Sequence, residues 1–108
     1  MRLVAIQALE DLKEIGAWIQ KDNPRRARAF VQELRLRCSG LVGYPARFPI
    51  IAEREGACVR RCVHRDYLIL FDADTEPNAV IILRVLHGAR DYERLLGETG
   101  PDDQEHSQ

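Results

Sequence analysis

The sequence predicts an α+β domain: an N-terminal strand, an antiparallel helical hairpin, a three-stranded antiparallel meander and a short C-terminal helix. Three observations predict it. Leu9, Leu12, Ile15 and Ile19 recur at the spacing of one helix face. Asn23-Pro24 then starts a second helix with almost no linker, because asparagine caps free amides and proline loses nothing at the first helical position. Finally, residues 58–63, 67–71 and 79–83 are β-branched and apolar runs parted by turn-forming residues.

Taken in order, residues 1–6 carry Arg2-Leu-Val-Ala-Ile, an apolar-leaning edge strand. Residues 8–22 form the first helix, with Glu10, Asp11, Lys13, Glu14, Gln20 and Lys21 turned to solvent and the acids placed early, where the helix dipole favours them. Gly16 in mid-helix costs about 1 kcal/mol relative to alanine, which predicts close approach by a neighbouring backbone, that of the second helix. That helix spans residues 24–42. Its apolar stripe is Ala27, Phe30, Val31, Leu34, Cys38 and Leu41, and Arg25, Arg28, Gln32 and Arg35 lie opposite. Such a row could hold phosphate, but it is ordinarily a solvated helix face. Residues 43–56 read as an ordered loop pinned by Tyr44, Phe48 and Ile50.

The central strand is Ala79-Val-Ile-Ile-Leu83, continuing into Arg-Val-Leu-His-Gly-Ala-Arg-Asp91. Five apolar residues in succession mean that both faces meet something apolar, one of them a partner. Gly88 permits a turn and Asp91 caps a short helix over residues 92–96, so Arg84, His87, Arg90 and Asp91 gather at the strand's end. Residues 1–96 are read as one domain and 97–108 as a disordered polar tail.

Composition excludes several function classes. A net charge of −1 gives no global attraction to nucleic acid or acidic lipid. Three cysteines, an odd number at irregular spacing, point to a reducing compartment and a cytoplasmic protein. No apolar run approaches the roughly 20 residues of a membrane span, and no signal peptide is recognisable. Cys58, Cys62 and His64 would lie on one face of an extended strand about 13 Å from end to end, too far apart for one zinc ion. Glycine-rich phosphate loops and His-Glu-x-x-His are absent, so no cofactor or metal is expected. What remains is a basic collection: Arg60, Arg61 and Arg65 near one hairpin, Arg84 and Arg90 on the central strand and its exit.

Ala8-x-x-Asp11-Leu12-x-x-Ile15, Asn23-Pro24-x-x-Ala27, Val59-Arg60-Arg61, Tyr67-x-Ile69-x-Phe71 and Ile82-Leu-Arg-Val-Leu-His-Gly-Ala-Arg-Asp91 together resemble the ParE branch of the RelE/ParE toxin superfamily, over residues 1–96. The resemblance implies a toxin of a bacterial type II toxin-antitoxin system that inhibits DNA gyrase and is neutralised by a ParD-like antitoxin. No membrane and no sequence-specific nucleic acid would be involved. Arg60, Arg61, Tyr67, Arg84, His87 and Arg90 are the expected partner-binding residues, with Arg60, Arg61 and Arg84 meeting antitoxin acids. RelE-like relatives are implied to cleave messenger RNA on the ribosome, and for that alternative the catalytic candidates are Arg84, His87, Arg90 and Tyr92. Against it stand Tyr67, where those ribonucleases carry an arginine, and a preceding loop with only Arg47 and Arg54. A third reading is a domain that binds antitoxin without being toxic.

Overall fold

The chain lays down β1 (Arg2–Ala5), α1 (Gln7–Gln20), α2 (Pro24–Gly40), a 3-10 turn (Pro45–Arg47), β2 (Ile50–Arg54), β3 (Ala57–His64), β4 (Tyr67–Asp72) and β5 (Ala79–His87). The computed structural model describes residues 2–88, 90 and 91. The expected helix at 92–96 and the tail at 97–108 lie outside the described residues. The five strands form one sheet in the order β1-β5-β4-β3-β2, with β1 parallel to β5 and the other neighbours antiparallel.

The meander therefore has four strands where three were expected. Residues 50–54, read as loop, pair with β3 through a two-residue turn at Glu55-Gly56, both with positive φ (49° and 84°). Turns of this kind match the right-handed twist of the strands they join, and glycine is at ease in the second position.

Both helices cover one face of the sheet, and the core is the seam between them. Leu12, Ile15, Phe30 and Leu34 from the hairpin pack against Cys62, Ile69, Phe71, Val80 and Val85. Asn23 caps α2 as expected, its side-chain oxygen accepting the Arg26 amide at 3.0 Å. The close approach at Gly16 is also present: a β-carbon there would stand 3.2 Å from Val31 Cγ2. The neighbour is a side chain of the second helix rather than its backbone. Ile6, before α1, supplies no capping side chain.

Two details of the first helix differ from the expected pattern. Leu9, placed in the buried stripe, is 43% exposed, whereas Asp11, placed toward solvent, is 5% exposed. The cause lies in β5. Phe71 pairs with Ile82 and Leu70 with Arg84, leaving Leu83 as one extra residue, a bulge. Before the bulge Val80 and Ile82 face the helices; after it Val85 does, while Leu86 packs on the opposite face. Arg84, paired in register with Leu70 of that opposite face, reaches Asp11 at the edge of β5 that β1 leaves uncovered beyond Ile82, and Asp11 is drawn in to meet it and the Val85 amide.

Ala79, Val80 and Ile82 are buried within the chain itself. On the sheet face away from the helices, Val59, Leu70 and Leu86 form a second cluster with Ile51, Ala52, Ala57 and Leu83. The apolar run at 79–83 thus finds most of its cover without a partner.

Candidate partner-binding site

Parallel pairing with β1 ends at Ala5–Ile82, so one edge of β5 is uncovered beyond that point. The Val85 and His87 amides point to this edge, two residues apart. Each is taken by an aspartate: Asp11 Oδ2 accepts Val85 N–H at 2.9 Å, and Asp91 Oδ2 accepts His87 N–H at 3.1 Å. Each carboxylate is in turn held by an arginine. Arg84 donates to both oxygens of Asp11 (2.9 and 3.1 Å), and Arg90 to both of Asp91 (3.0 and 3.2 Å). These forked contacts hold the Arg84 and Arg90 guanidiniums above their ordinary pKa, through hydrogen bonds to Asp11 and Asp91 respectively.

A cleft of about 290 Å³ opens here between α1 and the end of β5, lined by Glu14, Ile15, Trp18, Arg84 and Arg90 among others. Trp18, the single tryptophan, is 57% exposed, with Lys21 and Arg90 5.1 and 5.3 Å from its ring centre. Sequence reading passed over both Trp18 and Asp11. Trp18 falls outside the helical stripe, a signal available in the sequence; Asp11 needed knowledge of where β1 ends.

The expected site residues are only partly brought together. Arg84, His87 and Arg90 share the β5 exit, and Tyr67 lies beside it with its ring edge-on to His87 at 5.2 Å. Tyr67 is buried, and burial pushes its phenol up in pKa. His87 Nδ1 accepts the Arg90 amide at 3.1 Å. Arg60 and Arg61 sit elsewhere, on β3. Arg60 is forked onto Asp74 (2.9 and 3.0 Å) and also donates to the Phe48 carbonyl. Asp74 is held below its usual pKa by that guanidinium. Arg61 pairs with Leu70 in register on the opposite face and makes no ion pair among the described residues. Two of the three arginines expected to meet antitoxin acids, Arg60 and Arg84, thus hold acids of their own chain. Tyr92 lies outside the described residues.

On the other flank of α1 runs a wider groove of about 960 Å³, between α1 and α2. Ile6 (78% exposed), Leu9, Ala17 and Val31 line it, and Lys13, Arg28 and Arg35 stand along its rim. The arginine row of α2 therefore borders an apolar trough. Arg28 and Arg35 make no ion pair among the described residues.

The family model for the ParE toxin of type II toxin-antitoxin system, parDE, matches residues 4–92. The chain belongs to the ParE toxin family. A solved structure described as "Chromosomal ParDE TA system from P. aeruginosa" aligns with a TM-score of 0.68 and 22% sequence identity, covering 81% of this chain and 95% of that one. It shares the fold. No curated protein matches the sequence. In this ParE toxin the first strand and both helices precede the meander. Among the described residues no helix is long and apolar enough to cross a membrane.

Proposed function

We propose that this ParE toxin acts in the cytoplasm by binding DNA gyrase and blocking it, that it does not cleave RNA, and that a ParD-like antitoxin restrains it by seating an acidic amphipathic helix in the α1–α2 groove. One observation carries the reading: the described arginines that ribonuclease chemistry would recruit at the β5 exit are already neutralised. Arg84 and Arg90 are each forked onto an aspartate. Stabilising a developing phosphodiester charge needs positioned cations that are not already committed. Taking either arginine from its carboxylate would leave that carboxylate, and the β5 amide it accepts, without the pairing that holds them.

His87 fits the same reading, since its Nδ1 is occupied by the Arg90 amide and its ring rests against Tyr67. A toxin that works by binding needs a shaped surface in place of a general base. The groove supports the antitoxin assignment because its apolar floor is exposed in the free chain and its rim is basic, the complement of an acidic helix.

The test is expression without antitoxin, followed by an assay of purified gyrase supercoiling and a map of messenger RNA ends. We expect supercoiling to fall, transcripts to stay intact and His87→Gln to remain toxic. Codon-phased cleavage with normal supercoiling would establish the ribonuclease reading instead.

A further inference from the structure

Charge is divided unevenly along this chain. Residues 1–96 hold all sixteen Lys and Arg against thirteen of the seventeen Asp and Glu, a net +3; residues 97–108 hold Glu98, Asp102, Asp103 and Glu105 and no Lys or Arg, a net −4. The surface that matches this acidic segment is the rim of the α1–α2 groove. Arg28 and Arg35 there have no carboxylate partner among the described residues, and Lys13 faces them from α1. Among the described residues Lys13 pairs only with the exposed Glu10, at 3.6 Å.

We propose that the acidic segment 97–108 docks in cis along this groove, covering in the free protein the surface that the antitoxin takes in trans. The last described residue, Asp91, lines the Trp18 cleft on the opposite flank of α1. A helix with its side chains is about 10 to 12 Å across. Glu98 lies seven residues on from Asp91, up to about 25 Å of chain, so the first acid can cross α1 and the later ones can follow the arginine row. Coulomb attraction between the segment and the rim shields the exposed Ile6 and Leu9 from unwanted contacts. An antitoxin with more acids and an apolar face displaces it. That last step rests on the antitoxin assignment above; the docking itself does not.

The two lysines, Lys13 in the groove and Lys21 beside Trp18, make the test specific. The full chain, kept dilute, is treated with a zero-length carbodiimide and the monomer is mapped by mass spectrometry. We expect amide links from Lys13 to Glu98, Asp102, Asp103 or Glu105, falling roughly tenfold between 0.01 and 1 M salt as the Debye length shrinks from about 30 to about 3 Å. A variant with E98Q, D102N, D103N and E105Q should lose them and bind more anilinonaphthalene sulfonate, an apolar anionic dye suited to a basic-rimmed groove. Links confined to Lys21, links only between chains, or equal dye binding by both proteins would each overturn the proposal. Antitoxin and gyrase are absent from these measurements, so their outcome is independent of the toxin reading.

Discussion

Asp11 ties two distant parts of the structure together through one side chain. Its two oxygens accept Arg84 twice and the Val85 amide, joining α1 to a strand more than seventy residues away. Removing it leaves a guanidinium and an outward β5 amide short of a partner. Asp11→Ala is expected to cost about 3 kcal/mol, the low end for breaking a buried pair, because Arg84 keeps 36% of its side chain in water. Urea denaturation checks this; a loss below about 0.5 kcal/mol, the scale of an ordinary surface change, would contradict it. Legibility in the sequence follows the same division. Asn23-Pro24 and Gly88 carry their meaning locally, and both were readable: Asn23 caps α2, and the Gly88 amide closes a turn onto the Asp66 carbonyl at 2.7 Å. Asp11 looked like one more early acid on a helix. Its burial depends on β1 stopping at Ala5, which leaves the Val85 amide open to it and which residues 8–22 do not encode.

Among elements, the helical hairpin and four strands, β1, β3, β4 and β5, were readable because their patterns are local, and β2 was not. Ile50 and Ile51 stand between Pro49 and a run of charges, too short for alternation to register, and β2 becomes a strand only by pairing with β3. The turn at Glu55-Gly56 was the available clue. The α1–α2 contact can be tested directly. Gly16→Ala alone should leave stability nearly unchanged, since the gain of about 1 kcal/mol in helix propensity is offset where the new methyl meets Val31 Cγ2 at 3.2 Å. Val31 is β-branched and has little rotameric freedom on a helix to move aside. Measured in a Val31→Ala background, the same substitution should stabilise by about 1 kcal/mol. Equal effects in both backgrounds would mean that the methyl meets nothing.

Across the whole molecule, carboxylates tie together parts distant in sequence. Glu33 on α2 reaches His64 and Arg65 at the β3–β4 turn, and Asp74 holds Arg60. Glu33 lies below its usual pKa chiefly through His64, and Asp74 through Arg60. A carboxylate with a depressed folded pKa contributes stability above its unfolded value and loses it as pH falls through the folded one. Thermal stability should therefore decline as pH drops below about 4.5, the unfolded range for such groups, and continue down through 3.8. Asp74→Asn should show a shallower decline, having lost its share at neutral pH already; parallel curves for the two proteins would remove Asp74 from the account. The sheet also brings the two ends of the described chain side by side, Arg2–Ala5 lying against the first half of β5. In the order of synthesis β1 precedes by more than seventy residues the strand it pairs with. Until residues 79–87 leave the ribosome, β1 has no neighbour in the sheet and Asp11 has neither Arg84 nor the Val85 amide, so the fold closes only when β5 arrives.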